Sequence, residues 1–487
     1  MVFFSPTFLF VFFPAAVLLY RLTPGTRGRN AVLAVLSLLF YCFGSLSQLP
    51  LLLGSVLLNW GAGMLLGSLP GERKPARKAV MTAAVILNTG LLSVFKYLDF
   101  LTGMLNSLLG TGITAAGLAL PLGISFFTFT GLGYVIEVYR RPGSVCRSPV
   151  KVLLFIAMFP NLLAGPILSW RSVAPQLEER TCSAEKAARG LRRFILGLSK
   201  KLLIADIVGG IADAAFSGQA PDARVAWLGA AAYALQIYFD FSGCSDMAIG
   251  LGGVFGFEIP ENFRRPYTAL GMTDFWKRWH ISLTSWFRNY LYMPLVMSRG
   301  QKKLYRRWSG RYGRERANKL AVLIPSAVVW LLTGLWHGAA WSFVLWGLWH
   351  GVFCVLEGAG VIPAEGLKKT AGGRVLLRIY TAAVVLLGAV LFRAGSLAGA
   401  GRMLAAMFAG FPLTAEGTFL LQRNVSRLSL CALIAGAAIS MAPVPEAWKG
   451  TGRWREPVSY VLSGVLLVLC VMSMAGGGFQ PFIYQQF

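Results

Sequence analysis

The chain contains only three histidines among its 487 residues, and each follows a tryptophan in apolar surroundings. His337 and His350 lie in LTGLWHGAAWSFVLWGLWHG, and His280 lies in TDFWKRWHISLTSWFRNYLYMPL. An ionisable side chain in membrane-like sequence is costly to keep and is usually functional. Neutral imidazole, with a pKa near ~6.5, can take a proton from a hydroxyl that attacks a carbonyl carbon. The three histidines are therefore the candidates for chemistry, with a structural role as the alternative for each.

The spacing of His337 and His350 bears on whether they can act together. On one continuous helix, thirteen residues would separate them by ~220° around the axis and ~20 Å along it. Gly334 and Gly338 predict a helix break or a close backbone approach beside His337. A side chain at such a break can meet a substrate channel. We therefore expect His337 to be reachable from both sides of the membrane and His350 to face elsewhere.

Composition indicates the kind of element that must position these histidines. Hydrophobic residues make up 56% of the chain and charged residues 14%, whereas a soluble protein carries about 25% charged residues. Apolar runs recur from end to end, and many approach the ~20 residues that span a bilayer core. The sequence predicts an all-α, polytopic membrane protein of about 11 to 13 spanning or half-spanning helices around a central channel.

The apolar runs are regular at both ends of the chain and irregular in the middle. Pro160, Gly165, Pro166 and Gly243 are expected to interrupt helices there. Irregular backbone at membrane depth is tolerated only where protein or a water-filled cavity satisfies it. We therefore predict one membrane-embedded domain in four parts: N-terminal helices in 1–150, a catalytic core in 151–357, C-terminal helices in 358–475 and an extracytoplasmic tail in 476–487.

The net charge of +26 does not indicate nucleic-acid binding. The basic residues lie in short loops between apolar runs, which is the positive-inside pattern of membrane proteins and implies contact with lipid. This pattern predicts that both termini lie outside the cytoplasm. The seven cysteines form no CxxC pair, so neither a zinc site nor a disulfide framework is indicated.

Two further groups of residues have open interpretations. Asp240 and Asp246 flank a Ser-Gly segment, and buried carboxylates must be paired or hydrogen-bonded. They form either a structural polar cluster or a wall of a reaction chamber, and a proton-coupled transporter would also place carboxylates there. The C-terminal FIYQQF, which contains Tyr484, is either an aromatic belt at the membrane surface or a functional tail.

Several motifs together resemble the membrane-bound O-acyltransferase family, in particular its bacterial alginate O-acetylation branch. They are SPTFLFVFFP, YFDFSGCSDMAIG, ENFRRPY, FWKRWHISLTSWFRNYLY, WHGAAW and LWGLWHG. The resemblance spans nearly the whole chain; it departs from the branch at Arg288-Asn289 and at PLVM in 294–297. It implies a multi-pass protein of the bacterial cytoplasmic membrane. It also implies that acetyl-CoA donates from the cytoplasm and that the acetyl group leaves on the outer side, without a metal.

The resemblance also implies roles for individual residues. His337 matches the near-invariant histidine of the family and would act as general base, whereas the role of His350 is less settled. His280 matches the second active-site position and would orient the donor or stabilise an oxyanion. The expected donor-binding residues are Asn262, Arg264, Arg265, Trp276, Arg278 and Trp336. Candidates for the CoA phosphates are Lys302, Lys303, Arg306 and Arg307, although membrane orientation also explains these charges.

The C-terminal spacing Phe-x-Tyr-x-x-Phe resembles a motif of the same branch in which the tyrosine carries the acyl group. A phenol is a better leaving group than a sugar hydroxyl, so an ester on Tyr484 would stay activated. The expected partner is an extracytoplasmic acetyltransferase of the SGNH (GDSL-like) type, which would pass the acetyl group to a polysaccharide such as alginate, cellulose or peptidoglycan. The alternatives are D-alanyl transfer to teichoic acid and a polytopic transporter.

Overall fold

The apolar runs of the sequence fold as helices. A computed structural model describes residues 1–217, 222–409, 414–442, 455–477 and 480–483. The protein is 80% helical, and these residues contain no strand. The all-α prediction is therefore confirmed. The chain forms two compact units, and the prediction of one domain in four parts stays a prediction.

The first unit comprises Met1–Leu198 and Cys244–Pro260. Phe8 and Phe40 are fully buried in its core, with ring centroids 6.0 Å apart. A π-helical turn, Phe8–Phe12, precedes its first α-helix. Its helices are α1 Phe13–Leu22, α2 Gly25–Ser45, α3 Leu49–Ser68, α4 Lys74–Leu109, α5 Ile124–Arg140, α6 Pro149–Ala157, α7 Phe159–Leu162, α8 Trp170–Glu178 and α9 Ala184–Ser199.

The second unit comprises Ser199–Gly243 and Glu261–Ile483 and contains all three histidines. Two π-helical segments, Lys200–Ala205 and Arg288–Tyr292, interrupt it. Its α-helices are α10 Asp206–Ser217, α11 Ala223–Val254 (from Cys244 onward part of the first unit), α12 Met272–Trp276, α13 Ile281–Phe287, α14 Met293–Val296, α15 Arg299–Tyr312, α16 Arg314–Ala321, α17 Leu323–His337, α18 Trp341–Gly358, α19 Ala364–Leu367, α20 Ala371–Arg393, α21 Leu397–Phe408, α22 Ala415–Asn424, α23 Arg427–Met441 and α24 Arg455–Ala475.

Five helical segments of the described chain are long and apolar enough to cross a membrane. A sixth exists if α22 and α23, which meet at 84°, count as one bent span. The five are Gly25–Ser68, Lys74–Leu109, Arg314–His337, Ala371–Arg393 and Glu456–Ala475. The protein is therefore a polytopic membrane protein, while the count of 11 to 13 spans or half-spans and the central channel stay predictions.

The predicted helix interruptions in the middle of the chain are confirmed around Pro160 and wrong at Gly243. α7 begins beside Pro160 and ends at Leu162, so Gly165 and Pro166 lie in non-helical backbone. Gly243, in contrast, lies inside the unbroken helix α11. A glycine within a helix costs only about 1 kcal/mol relative to alanine. Tertiary packing along the 32 residues of α11 is enough to offset that preference.

Glycines set the close approach of α17 and α18, which determines where His337 lies. A Cβ atom on Gly334 would lie 2.4 Å from the Phe343 carbonyl oxygen, and one on Gly347 would lie 2.4 Å from the Trp330 carbonyl oxygen. Small residues allow helix backbones to pack this tightly. α17 ends at His337, and the next residue is extended. The predicted break beside His337 is confirmed.

Candidate active site

His280 occupies a left-handed turn just before α13. Its φ of 45° is uncommon for a residue with a side chain, so the surrounding structure must hold it there. Two backbone hydrogen bonds do so. The Arg264 N–H donates to the Arg278 carbonyl at 2.9 Å, and the Ile281 N–H donates to the Asn262 carbonyl at 2.9 Å. The ENFRRPY segment therefore fixes the position of the imidazole.

The side chain of Asn262 fixes the tautomer of His280. Its Oδ1 accepts hydrogen bonds from the Ser282 N–H at 3.1 Å and the Ser282 hydroxyl at 2.9 Å. A backbone N–H requires an acceptor, so the atom that receives it is the amide oxygen. His280 Nδ1 lies 3.2 Å from the same oxygen and must therefore carry the proton. The lone pair is left on Nε2, which has no hydrogen-bond partner among the described residues.

The environment of His280 keeps it neutral. The residue is 1% exposed and lies outside the five candidate spans. Burial lowers its pKa to about 3, because desolvation disfavours the imidazolium ion. A neutral ring with a free Nε2 lone pair accepts a hydrogen bond or a proton. This tautomer favours orientation of the donor over stabilisation of an oxyanion, which would need a protonated Nε2.

Trp336 links His280 to His337. Its ring centroid lies 6.0 Å from that of His280 and 4.8 Å from that of His337. His337 also contacts Trp346, at 4.7 Å, and Phe392, at 5.2 Å. His337 is only 3% exposed, so a substrate reaches it only when some of these rings move. The expected access from both sides is not open in this conformation.

A cavity of about 150 Å³ lies beside this ring cluster. Its walls include Leu283 and Thr284 of α13 and Val329 and Thr333 of α17. Thr333 precedes His337 by one helical turn and therefore lies on the same face. Thr284 follows His280 by the same spacing. The cavity thus runs along the two helix faces that end at the two histidines, and it is smaller than the ~300 Å³ of a typical complete ligand site.

His350 belongs to a neighbouring set of rings. Its imidazole lies 5.3 Å from Trp276 and 5.0 Å from Trp346, the tryptophan that also contacts His337. Trp276 lines the cavity, and its indole N–H has no hydrogen-bond partner in the described part of the chain. Trp276 therefore lies where a donor could contact it, whereas Trp336 is buried away from the cavity lining and Asn262 contacts His280.

The structure does not bring the cationic donor-binding candidates to the cavity. Arg264 is exposed, and Arg265 adopts φ 48° before a 3₁₀ turn. Arg278 donates to Asp274 at 2.9 Å and to Thr268 at 3.3 Å, which is a local structural role. The four basic side chains considered for the CoA phosphates are exposed on α15: Lys302, Lys303, Arg306 and Arg307. Arg288, which precedes the departure from the branch at Asn289, does line the cavity.

The structure adds residues that the sequence did not single out. Glu357 of α18 accepts hydrogen bonds from the backbone N–H groups of Met272, at 2.5 Å, and Thr273, at 2.8 Å. It thereby fixes the first turn of α12. Lys201 is buried between Asp206 and Asp240. No local sequence signal indicates either contact. Glu357 is far along the chain from Met272 and Thr273. The residues around Lys201 form no motif that would mark it as the partner of two aspartates.

The remaining predicted residues and groups have simple outcomes. Asp240 pairs with Lys201 in the second unit, and Asp246 pairs with Arg193 in the first, at 2.6 Å. Tyr484 lies outside the described residues. Phe482, two residues before it, is 1% exposed, so this ring is packed inside the protein and does not belong to a membrane-surface belt. No cluster of three potential metal ligands occurs among the described residues.

Known proteins provide an independent comparison. The family model of the membrane-bound O-acyltransferases matches residues 145–309, a segment that contains His280 and ends before His337. A probable alginate O-acetylase of Azotobacter vinelandii is 40% identical over 84% of this chain and 78% of its own. A peptidoglycan O-acetyltransferase of Helicobacter pylori is 32% identical over 70% and 67%. A teichoic acid D-alanyltransferase of Bacillus subtilis is 30% identical over 46% and 55%.

Proposed function

The chain belongs to the membrane-bound O-acyltransferase family, and from this premise we propose that it moves an acetyl group from acetyl-CoA to the outer side of the membrane. It is an acyltransferase, as its relatives are. The donor is acetyl-CoA from the cytoplasm, and the first acceptor is the phenol of Tyr484. An extracytoplasmic SGNH-type partner then passes the acetyl group to a polysaccharide hydroxyl.

The arrangement of His280 and His337 carries this proposal. Both imidazoles are buried, both flank the ring of Trp336, and each ends a helix face that lines the cavity. A buried site strengthens every electrostatic interaction with a developing charge. The cavity has room for an acetyl group and the adjoining part of its carrier. In this proposal the thioester carbonyl lies at the histidine end of the two helices, although neither imidazole lines the cavity in this conformation.

The transfer moves one proton, forms one carbon–oxygen bond and breaks one carbon–sulfur bond. The phenol oxygen attacks the thioester carbonyl carbon while His337 takes the phenol proton. His280 accepts a hydrogen bond through Nε2 from an amide N–H of the CoA arm and thereby aligns the thioester carbonyl, which leaves the single phenol proton to His337. The tetrahedral intermediate collapses, the carbon–sulfur bond breaks, and the imidazolium of His337 returns the proton to the CoA thiolate. The product is a phenolic ester, which stays activated for a second transfer.

Acetyl transfer fits the comparisons better than D-alanyl transfer. The identity to the alginate O-acetylase is 40% over 84% of the chain, against 30% over 46% for the D-alanyltransferase. A transporter would not need a buried imidazole whose tautomer is held by a dedicated amide. These points support the acetyl reaction and an acceptor such as alginate, cellulose or peptidoglycan. The protein is proposed to lie in a bacterial cytoplasmic membrane with both termini outside.

A reconstituted transfer assay tests the proposal. Purified protein in proteoliposomes receives acetyl-CoA with a labelled acetyl group, and mass spectrometry follows acetylation of the C-terminal peptide. His337→Ala should lower the rate by at least about 100-fold, the usual contribution of a general base. Tyr484→Phe should leave thermal stability unchanged and abolish peptide acetylation. Full acetylation of the polymer by either variant in cells would overturn the corresponding role.

The choice of acyl donor distinguishes acetyl transfer from the alternative, D-alanyl transfer. Wild-type protein should consume acetyl-CoA and leave a D-alanyl carrier-protein thioester intact. The reverse preference would assign the chain to D-alanyl transfer. A transporter would show neither reaction, and His337→Ala would leave its transport largely unaffected.

A further inference from the structure

Lys201, Asp206 and Asp240 form a buried ionic cluster in the second unit. The Lys201 Nζ lies 2.6 Å from Asp206 Oδ1 and 2.8 Å from Asp240 Oδ1. The three side chains are only 2–3% exposed. Buried ions are unfavourable unless further hydrogen bonds satisfy them. The cluster holds two carboxylates and one ammonium group, so its carboxylate oxygens need additional donors.

The C-terminal segment 480–483 supplies such donors. The Ile483 N–H donates to Asp240 Oδ2 at 2.9 Å, and the Gln480 backbone lies beside the Asp206 carboxylate. Both contacts use the backbone of the segment. They are spaced three residues apart, so they fix its register along the cluster.

Side chains of the same segment occupy a fitted surface. The Gln480 amide donates to Asp213 Oδ2 at 3.2 Å and accepts from the Gln236 amide at 3.5 Å. A Cβ atom on Gly209 would lie 3.1 Å from Gln480 Oε1, so the glycine makes room for this side chain. Phe482 packs against Phe241, with ring centroids 5.9 Å apart. The segment is therefore held by backbone, polar and aromatic contacts together.

The docked segment leads directly to the histidine site. Phe241, which contacts Phe482, also packs edge-on against His280 at 4.6 Å. We propose that Lys201, Asp206 and Asp240 are positioning residues that bind the C-terminal segment 480–483 in the register that presents Tyr484 to the histidines. The presentation of Tyr484 rests on its proposed acceptor role; the binding of the segment does not.

Hydrogen–deuterium exchange of the full-length protein tests the binding directly. The C-terminal peptide should exchange slowly at Gln480 and Ile483 in the wild type. Ile483→Pro removes the N–H that Asp240 accepts, whereas Ile483→Val keeps it and serves as the matched control. The loss of a hydrogen bond to a charged group should speed exchange at Gln480 about ten- to hundredfold in the proline variant only. Equal exchange in the wild type and both variants would overturn the proposal.

A change on the other side of the contact completes the test. Asp240→Asn keeps the shape of the side chain and removes its charge, so exchange at Gln480 and Ile483 should rise about tenfold. In the double variant with Ile483→Pro, exchange at Gln480 should be no faster than in the faster single variant, because both changes remove one contact. Additive effects would mean that Asp240 does not act on the segment.

Enzymatic readouts distinguish positioning from general damage. Acetylation of the C-terminal peptide should fall about ten- to hundredfold in Ile483→Pro, with the KM for acetyl-CoA unchanged and Ile483→Val near wild type. A protected segment without any acetylation of Tyr484 would keep the binding site and sink the acceptor role. Acetylation of Tyr484 while the segment exchanges without protection would keep the acceptor role and refute the binding site. A general loss of stability would instead lower the melting temperature in both variants.

Discussion

Replacement of Asn262 by alanine should disable His280 without disrupting the turn that carries it. The Asn262 amide oxygen accepts three hydrogen bonds, from His280 Nδ1 and from the N–H and hydroxyl of Ser282. At a net ~1 kcal/mol each, their loss should lower the free energy of unfolding by about 3 kcal/mol. The backbone carbonyl of Asn262, which accepts the Ile281 N–H, is kept in the variant.

The loss of Asn262 also frees the imidazole to rotate and to exchange tautomers. We expect kcat for acetyl transfer to fall about 10- to 100-fold, because a misplaced catalytic group loses that much. The KM for acetyl-CoA should be unchanged, since Asn262 is fully buried and does not line the cavity. The assay is steady-state release of CoA thiol in proteoliposomes, with circular dichroism melting in detergent for stability.

Ser282→Ala is the matched control for this experiment. It removes the hydroxyl bond to Asn262 at 2.9 Å and leaves the contact of Asn262 with His280 in place. Its free energy of unfolding should fall by about 1 kcal/mol, with kcat near the wild-type value. The tautomer argument is refuted if Asn262→Ala keeps the wild-type kcat, or if Ser282→Ala lowers kcat by as much.

Three further outcomes follow from the same geometry. Thr333→Phe should fill the cavity and raise the KM for acetyl-CoA about tenfold. Thr333→Val should stay near wild type, since the threonine hydroxyl, within the described residues, bonds to its own helix at Val329. Burial lowers the pKa of His280 to about 3, against 6.5 in the unfolded chain. The contribution of neutral, buried His280 to the free energy of unfolding is therefore full above pH 6.5, and it is lost as the pH falls and the unfolded chain binds a proton that the folded protein does not. Melting between pH 6.5 and 5 should show a loss of about 2 kcal/mol that His280→Gln removes. Glu357→Ala should lower the free energy of unfolding by about 1–2 kcal/mol through loss of the α12 cap, and Glu357→Gln should lower it less.

Local physical properties explain how far the sequence alone could lead. The break beside His337 is predicted correctly, because glycines at 334 and 338 change the backbone preferences of their own neighbourhood. The break at Gly243 is not, because the packing of α11 overrides a local preference of about 1 kcal/mol. The polar turn of ENFRRPY is recognisable in the sequence. That Asn262 of this turn orients His280, however, depends on hydrogen bonds between residues eighteen to twenty positions apart.

The sequence by itself determines the all-α membrane class and identifies three histidines as the candidates for chemistry, since hydropathy and residue type are local properties. The family also follows from the order of residues. Only the tertiary structure decides which nitrogen of His280 carries the proton and which donors satisfy Asp240. These features depend on partners up to 243 residues apart along the chain, as in the bond from Ile483 to Asp240. A pattern of neighbouring residues cannot indicate which distant residues will meet in the fold.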